Sequence, residues 1–122
     1  MGEEKIAIQD EYADEFSWCF GCGRLNEAGH RFRTRWDDTG GKTVTEYTPK
    51  EEHQAVPGFV YGGVIASLID CHGTGSASLT MQRTNGPEPG VSLEPPRFGT
   101  ESFPEEFKKP TPQLVPMEAV GE

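Results

Sequence analysis

The chain predicts an α+β fold, an antiparallel sheet packed around one long helix, and three observations lead there. The stretch from Pro57 to Met81 is nearly uncharged, with Asp70 as its single formal charge. Within it Val60, Val64 and Leu68, and likewise Ile65 and Ile69, recur at the i, i+4 spacing of a helix. Upstream, Phe32, Thr34 and Trp36 alternate with Arg31, Arg33 and Arg35, the period-2 pattern of a half-buried strand. The order strand, strand, helix, strand, strand fits a sheet wrapped on a single helix.

Taken in order, Met1 to Phe16 is a polar, acidic arm with a weak helical pattern at Ile6, Tyr12 and Phe16, expected to be loose or docked by its aromatics. Ser17 to Gly29 is loop-like, rich in glycine, and carries Cys19-Phe20-Gly21-Cys22. His30 to Trp36 is the first strand. Asp37-Asp38-Thr39-Gly40-Gly41 makes the turn, and Lys42 to Thr48 returns as the second strand. Pro49 to Pro57 is a polar loop leading into the helical region 57–81. Gln82 to Gly90 reads as a turn-rich connection. A further strand is expected around Arg97 to Ser102 and on towards Phe107, with Pro104 awkward inside it. Pro110-Thr111-Pro112 breaks the chain again before a last strand from Val115 to Val120.

The 122 residues suit one domain spanning 1–122, with a modest core at 34% hydrophobic content. Eleven basic against twenty acidic residues give a net charge of -9, which argues against nucleic acid or an anionic membrane surface as partner. Three cysteines are an odd count, unlike a secreted disulfide framework, and the start lacks an apolar signal region, so a cytoplasmic location is expected. The helical stretch, interrupted by a carboxylate and several glycines, is a poor membrane span.

Candidate chemistry gathers on the helix. Gly62 and Gly63 stand at its expected N-terminus, where unpaired N–H groups and the positive dipole end suit a developing oxyanion. Without a side chain, Gly63 lets a ligand approach its backbone. Asp70 follows after seven residues, about 700° of rotation and roughly 10 Å of rise, so it shares a face with Gly63 but cannot touch the same carbonyl. If both act in one reaction, a second copy of the helix must complete the site. The plainer alternatives are a structural, hydrogen-bonded Asp70 and a simple turn at Gly62-Gly63.

His53 and Gln54 precede the helix and are candidates for the pocket mouth, with a solvated loop histidine as the alternative. Arg97, Lys108 and Lys109 are candidates for an anionic ligand, with solvated charge as the alternative. Cys19 and Cys22, with His30 and the Cys71-His72 pair, are weighed as a zinc site. One Cys-x-x-Cys and a pair inside the core helix favour a structural loop beside the pocket instead, and no metal is expected.

The motifs Cys-Phe-Gly-Cys-Gly-x-x-Asn, Tyr-Thr-Pro-x-x-x-His-Gln and Pro-Gly-x-x-Tyr-Gly-Gly-Val-Ile-Ala-Ser-Leu-Ile-Asp-Cys-His-Gly resemble those of hotdog-fold acyl-CoA thioesterases of the PaaI-like branch. The resemblance covers about residues 17 to 122 and takes in the later Lys-Lys-Pro-Thr-Pro. It implies a hotdog fold assembling as a homodimer or homotetramer, and hydrolysis of acyl-CoA thioesters between subunits without metal or organic cofactor. It assigns Asp70 as general base or nucleophile and Gly63 N–H as oxyanion donor, with Gly62 beside it.

Tyr61 stands where the family usually has histidine; its phenol can donate a hydrogen bond to a thioester carbonyl but cannot act as a base at neutral pH. Against that family the chain also reads as C-terminally shortened by one or two strands. The runner-up expectation is a non-catalytic acyl-CoA or lipid-like ligand binder, or a degenerate hotdog protein, and a third is a zinc-dependent interaction module.

Overall fold

A computed structural model of the chain describes residues 6–85 and 117–121. Strand β1 (Thr34–Trp36) pairs antiparallel with β2 (Thr43–Tyr47), and β2 pairs antiparallel with β3 (Met117–Gly121), so the order is β1-β2-β3 with β2 central. One helix, α1 (Gly62–Asn85), lies across the sheet. The expected further strand around Arg97, with Pro104, Lys108, Lys109 and the Pro110-Thr111-Pro112 break, lies outside the described residues.

Three boundaries move, each for a local reason. The first strand starts at Thr34 instead of His30, because Arg31 adopts a left-handed φ of 58° that interrupts extended pairing. The N–H groups of His30 and Phe32 turn instead to the Cys-rich loop, donating to Phe20 O and Gly21 O at 2.9 Å each. The helix begins at Gly62, since the residues before it close a small loop through the antiparallel bridge between Gln54 and Val60. It continues past Gln82, where a turn-rich connection was expected, to Asn85. There Arg83 holds the sheet, its guanidinium 3.4 Å over the Trp36 ring while donating 2.6 Å to Gly40 O in the hairpin turn.

Register places Thr34, Thr45 and Ala119 in one row, Trp36, Thr43 and Gly121 in the next, and Tyr47 beside Met117. These rows meet the helix in three zones. Near its start, Leu68 and Cys71 pack with Cys22 and Phe32 against Tyr47, Met117 and Ala119. Near its end, Leu79 packs with Ile8, Tyr12 and Trp36. Between the two apolar zones the contact is polar.

That middle zone is a continuous hydrogen-bond chain. Thr34 N–H donates 2.7 Å to Gln9 Oε1, which turns Gln9 Nε2 towards Thr34 Oγ1 at 3.1 Å. Thr34 Oγ1 lies 2.7 Å from Thr45 Oγ1, and Thr45 Oγ1 lies 2.8 Å from His72 Nδ1. His72 Nε2 is 3.5 Å from Ser76 Oγ, which is 2.7 Å from Thr43 Oγ1. The Gln9 amide donates to Thr34, and with each hydroxyl passing its own proton along, His72 Nδ1 accepts from Thr45 and Nε2–H faces Ser76. The opposite order, with Nδ1–H donating to Thr45, uses the same neutral ring. A neutral imidazole fits this chain, and burial lowers the His72 pKa accordingly.

Gln9 belongs to the arm before the sheet, which is docked through two short 3-10 turns, Ile8–Asp10 and Asp14–Phe16. Its anchors are Ile8, Gln9 and Tyr12, all buried, whereas Ile6 and Phe16 of the expected helical pattern face outward. The tighter 3-10 geometry explains the change of face. Helix α1 admits Gln9 only because position 75 is glycine: a Cβ there would stand 2.8 Å from Gln9 Nε2 and 2.9 Å from Thr34 Oγ1.

Helix propensity alone would make Gly75→Ala stabilising by about 1 kcal/mol. The collision with the polar chain reverses the sign, and urea unfolding is expected to show a loss of about 1–3 kcal/mol. The neutral His72 gives a second expectation. Its folded pKa is depressed, so the unfolded state binds the extra proton, and stability is complete above the ordinary value of 6.5 and falls as pH drops below it. Unfolding midpoints that stay level from about pH 7 to pH 5 would refute the neutral-imidazole assignment.

Candidate functional site

The start of α1 is built by the loop that enters it. Tyr61 N–H donates 2.9 Å to His53 O, Ala55 N–H donates 2.9 Å to Phe59 O, and Val64 N–H turns back 3.0 Å to Tyr61 O. This closed loop sets His53 beside the helix start and leaves Gly62 and Gly63 in the first turn, whose N–H groups have no partner one turn earlier. The site offers an anion the backbone donors and dipole of a 24-residue helix.

Tyr61 modifies access to those donors. A Cβ at Gly63 would lie 2.3 Å from Tyr61 Cε2 and 2.8 Å from its Cζ, so the phenol ring rests directly on the glycine. Tyr61 is 58% exposed, so the ring faces solvent on its outer side. Gly63 therefore seats the ring, which no side chain at that position would allow without displacing it.

His53 joins an aromatic group rather than solvent. Its ring centroid lies 4.9 Å from that of His30, which also contacts Phe20, Phe32 and Tyr47 at 5.2, 5.0 and 5.6 Å. His53 Nδ1 accepts Lys50 N–H at 3.0 Å, fixing that nitrogen as an acceptor. Burial, then the neighbouring His53 and Lys50, lower the His30 pKa, which disfavours an imidazolium there. Burial, then Glu52, raise that of the Tyr47 phenol. Gln54 is exposed on its bridge to Val60, and Arg97 lies outside the described residues.

Asp70 sits half-buried on α1 two turns beyond Gly63. The described residues leave one side of the helix uncovered. Val64, Leu68, Cys71, His72, Gly75, Ser78 and Leu79 are buried, while Ile69, Gly73, Ala77 and Thr80 are exposed. This outer face, with Asp70 at its edge, bears small or apolar side chains and no lysine or glutamate.

Cys71 lies in the core helix as expected, and from there it meets the other two cysteines. The Sγ atoms of Cys19, Cys22 and Cys71 all lie within 4.8 Å of one another. Hydrogen bonds from Cys22 and Cys71 hold the Cys19 thiol far below its ordinary pKa, and the same sharing, with burial, pushes Cys71 far up. Neither histidine weighed with them takes part: His72 belongs to the polar chain and His30 to the aromatic group. Consecutive residues point about 100° apart around a helix, so Cys71 and His72 serve different neighbours.

Among solved structures the chain is similar to a thioesterase superfamily protein from Shewanella loihica, with 42% sequence identity and a TM-score of 0.61 over 80% of this chain and 75% of that one. No protein-family profile matches the chain, and no curated protein matches it.

The exposed Tyr61 ring gives Gly63→Ala an outcome unlike that of Gly75→Ala. The added methyl meets a side chain that can leave, so the stability cost should stay below about 1 kcal/mol. Urea unfolding of the two variants side by side checks the contrast, and an equal loss would mean that the Tyr61 ring is held in place.

Proposed function

The chain belongs to the thioesterase superfamily and has the hotdog fold, and from that premise we propose that it hydrolyses acyl-CoA thioesters at a site shared by two copies of itself. The Gly63 N–H, with Gly62 beside it, receives the thioester oxygen as it becomes an oxyanion. Asp70 of the second copy takes a proton from water, whose oxygen attacks the carbonyl carbon. Collapse of the tetrahedral intermediate breaks the carbon–sulfur bond, and the thiolate leaves. Attack by the Asp70 carboxylate itself, followed by hydrolysis, uses the same geometry.

The observation that carries this reading is the position of Asp70 at the edge of the face of α1 that the described residues leave uncovered, two turns from the helix N-terminus. Roughly 10 Å of helix separates the two groups, too far for one carbonyl. A second helix laid antiparallel on the uncovered face would bring its own Asp70 towards Gly63, and a homodimer or homotetramer follows. His53 and Gln54 flank the mouth, and Arg97 is proposed to meet the phosphates of CoA. The Cys-Phe-Gly-Cys-Gly-x-x-Asn and Tyr-Gly-Gly-Val-Ile-Ala-Ser motifs support the PaaI-like branch, and the odd cysteine count supports a cytoplasmic setting.

A second reading is favoured by the Tyr61 ring, which covers Gly63 where the family usually has histidine. A ring that stays there would leave a protein that binds acyl-CoA without hydrolysing it.

Thiol release from short, medium, long and aromatic acyl-CoAs tests the two readings. The wild-type chain should turn over at least one class, and Asp70→Asn should keep the fold and lose on the order of 100-fold or more in rate. Equal rates in the two proteins would sink the role of Asp70. Silence across the panel from folded protein, with calorimetric binding of a non-hydrolysable analogue, would establish the binder.

A further inference from the structure

The cysteine cluster lies behind the helix start and has no part in the proposed hydrolysis. We propose that Cys19, Cys22 and Cys71 form a binding site for one thiophilic d10 cation, Zn(II) or Cu(I), which clamps the Cys-rich loop to helix α1.

Three sulfurs from two distant segments converge to within 4.8 Å of one another. A metal–sulfur bond of about 2.3 Å sets ligand sulfurs about 4 Å apart in a trigonal site, so closure asks for movements of about 1 Å or less. The loop is already shaped for the purpose. Gly23 N–H donates 2.7 Å to Cys19 O, and the loop is tied to the chain beyond it by the hydrogen bonds from His30 and Phe32.

Position 21 adds an independent sign of construction. A Cβ on Gly21 would stand 2.4 Å from Cys71 Sγ and 3.8 Å from Cys19 Sγ, so the cluster closes only over a bare backbone. A single disulfide would use two of these sulfurs and strand the third against them, whereas one cation uses all three.

The surroundings select the ion. Phe32, Leu68 and Met117 pack at the cluster, and thiolates in an apolar shell favour Cu(I) or Zn(II) over magnesium or calcium. Cys22 and Cys71 are each 3% exposed and Cys19 is only partly buried, so an ion approaches from the Cys19 side. With three cysteines in the chain, thiolate ligation is limited to three. A fourth position is left for another donor on Zn(II) or stays empty on Cu(I). Because Cys71 directly follows Asp70, the clamp also fixes the helix at the residue proposed for chemistry.

The test uses the reduced full-length chain, stripped by chelator and titrated without oxygen. Zn(II) is offered against a chromogenic chelator and Cu(I) against a thiol buffer. Co(II) serves as a probe whose sulfur-to-metal charge-transfer band reports thiolate ligation. One ion per chain is expected, with release of thiol protons, a raised thermal midpoint and protection of Cys19, the partly exposed thiol, from alkylation. Cys19→Ser and Cys71→Ser should each weaken binding by at least about 10-fold, and competition between the two metals names the preferred ion.

A wild-type Cys19 thiol that alkylates equally with and without either metal would overturn the site, as would undiminished affinity in both variants. So would uptake replaced by a disulfide between two of the three under mild oxidation. The alkylation result stands on the wild-type protein alone should a variant fail to fold. Turnover of acyl-CoA is not among the readouts, so failure here leaves the proposed hydrolysis untouched.

Discussion

The rest of the structure depends on the polar chain that runs from Gln9 through Thr34 and Thr45 to His72 and on to Thr43. In the two apolar zones that flank it the contact is tolerant of sliding, because burial of hydrocarbon has no direction. Hydrogen bonds do have direction, and a half-satisfied network is costly where water is excluded. One row of hydroxyls and one imidazole thus fix where along the sheet the helix must sit. The N-terminal arm enters the same network through Gln9, which makes a segment that looks dispensable in composition part of the interior.

That fixed seat determines what the two ends of the helix can do. Leu68 and Cys71 press on the Cys-rich loop and Phe32, which in turn carry the His30 aromatic group and His53 up to the helix start. At the other end Arg83 spans Trp36 and Gly40, tying the hairpin turn to the last turn of α1. The candidate site consequently stands on backbone whose position is set from several sides, while the ring that covers it, Tyr61, faces solvent.

Much of this was legible in the sequence. The i, i+4 pattern of Val60, Val64 and Leu68 located the helix, and the alternation of Phe32, Thr34 and Trp36 located the first strand. In the structure Phe32 and Thr34 are buried while Arg31 and Arg33 are exposed. The strand's true start was hidden, because nothing in the pattern signals that Arg31 adopts a positive φ and hands its neighbours' N–H groups to another segment. The polar chain was hidden for a related reason. Threonine and glutamine read as surface residues, and only the register of Thr34 opposite Thr45, with Gly75 above them, turns them inward. Motif matching drew attention to Asp70 and Gly63 but valued Cys71 by its place in a helix, when what matters is which loop lies opposite that turn.

Asp70, Cys71 and His72 are consecutive, and they address three different surroundings: the uncovered face, the sulfur cluster and the polar interior. Each step turns the helix by about 100°. Inserting or deleting one residue between Gly63 and Asp70 would therefore misdirect all three side chains at once, and no sliding of the helix could restore more than one of them. The residue count of the segment is held fixed by all three surroundings together. Length, more than composition, is the quantity that descent would have to preserve along this helix.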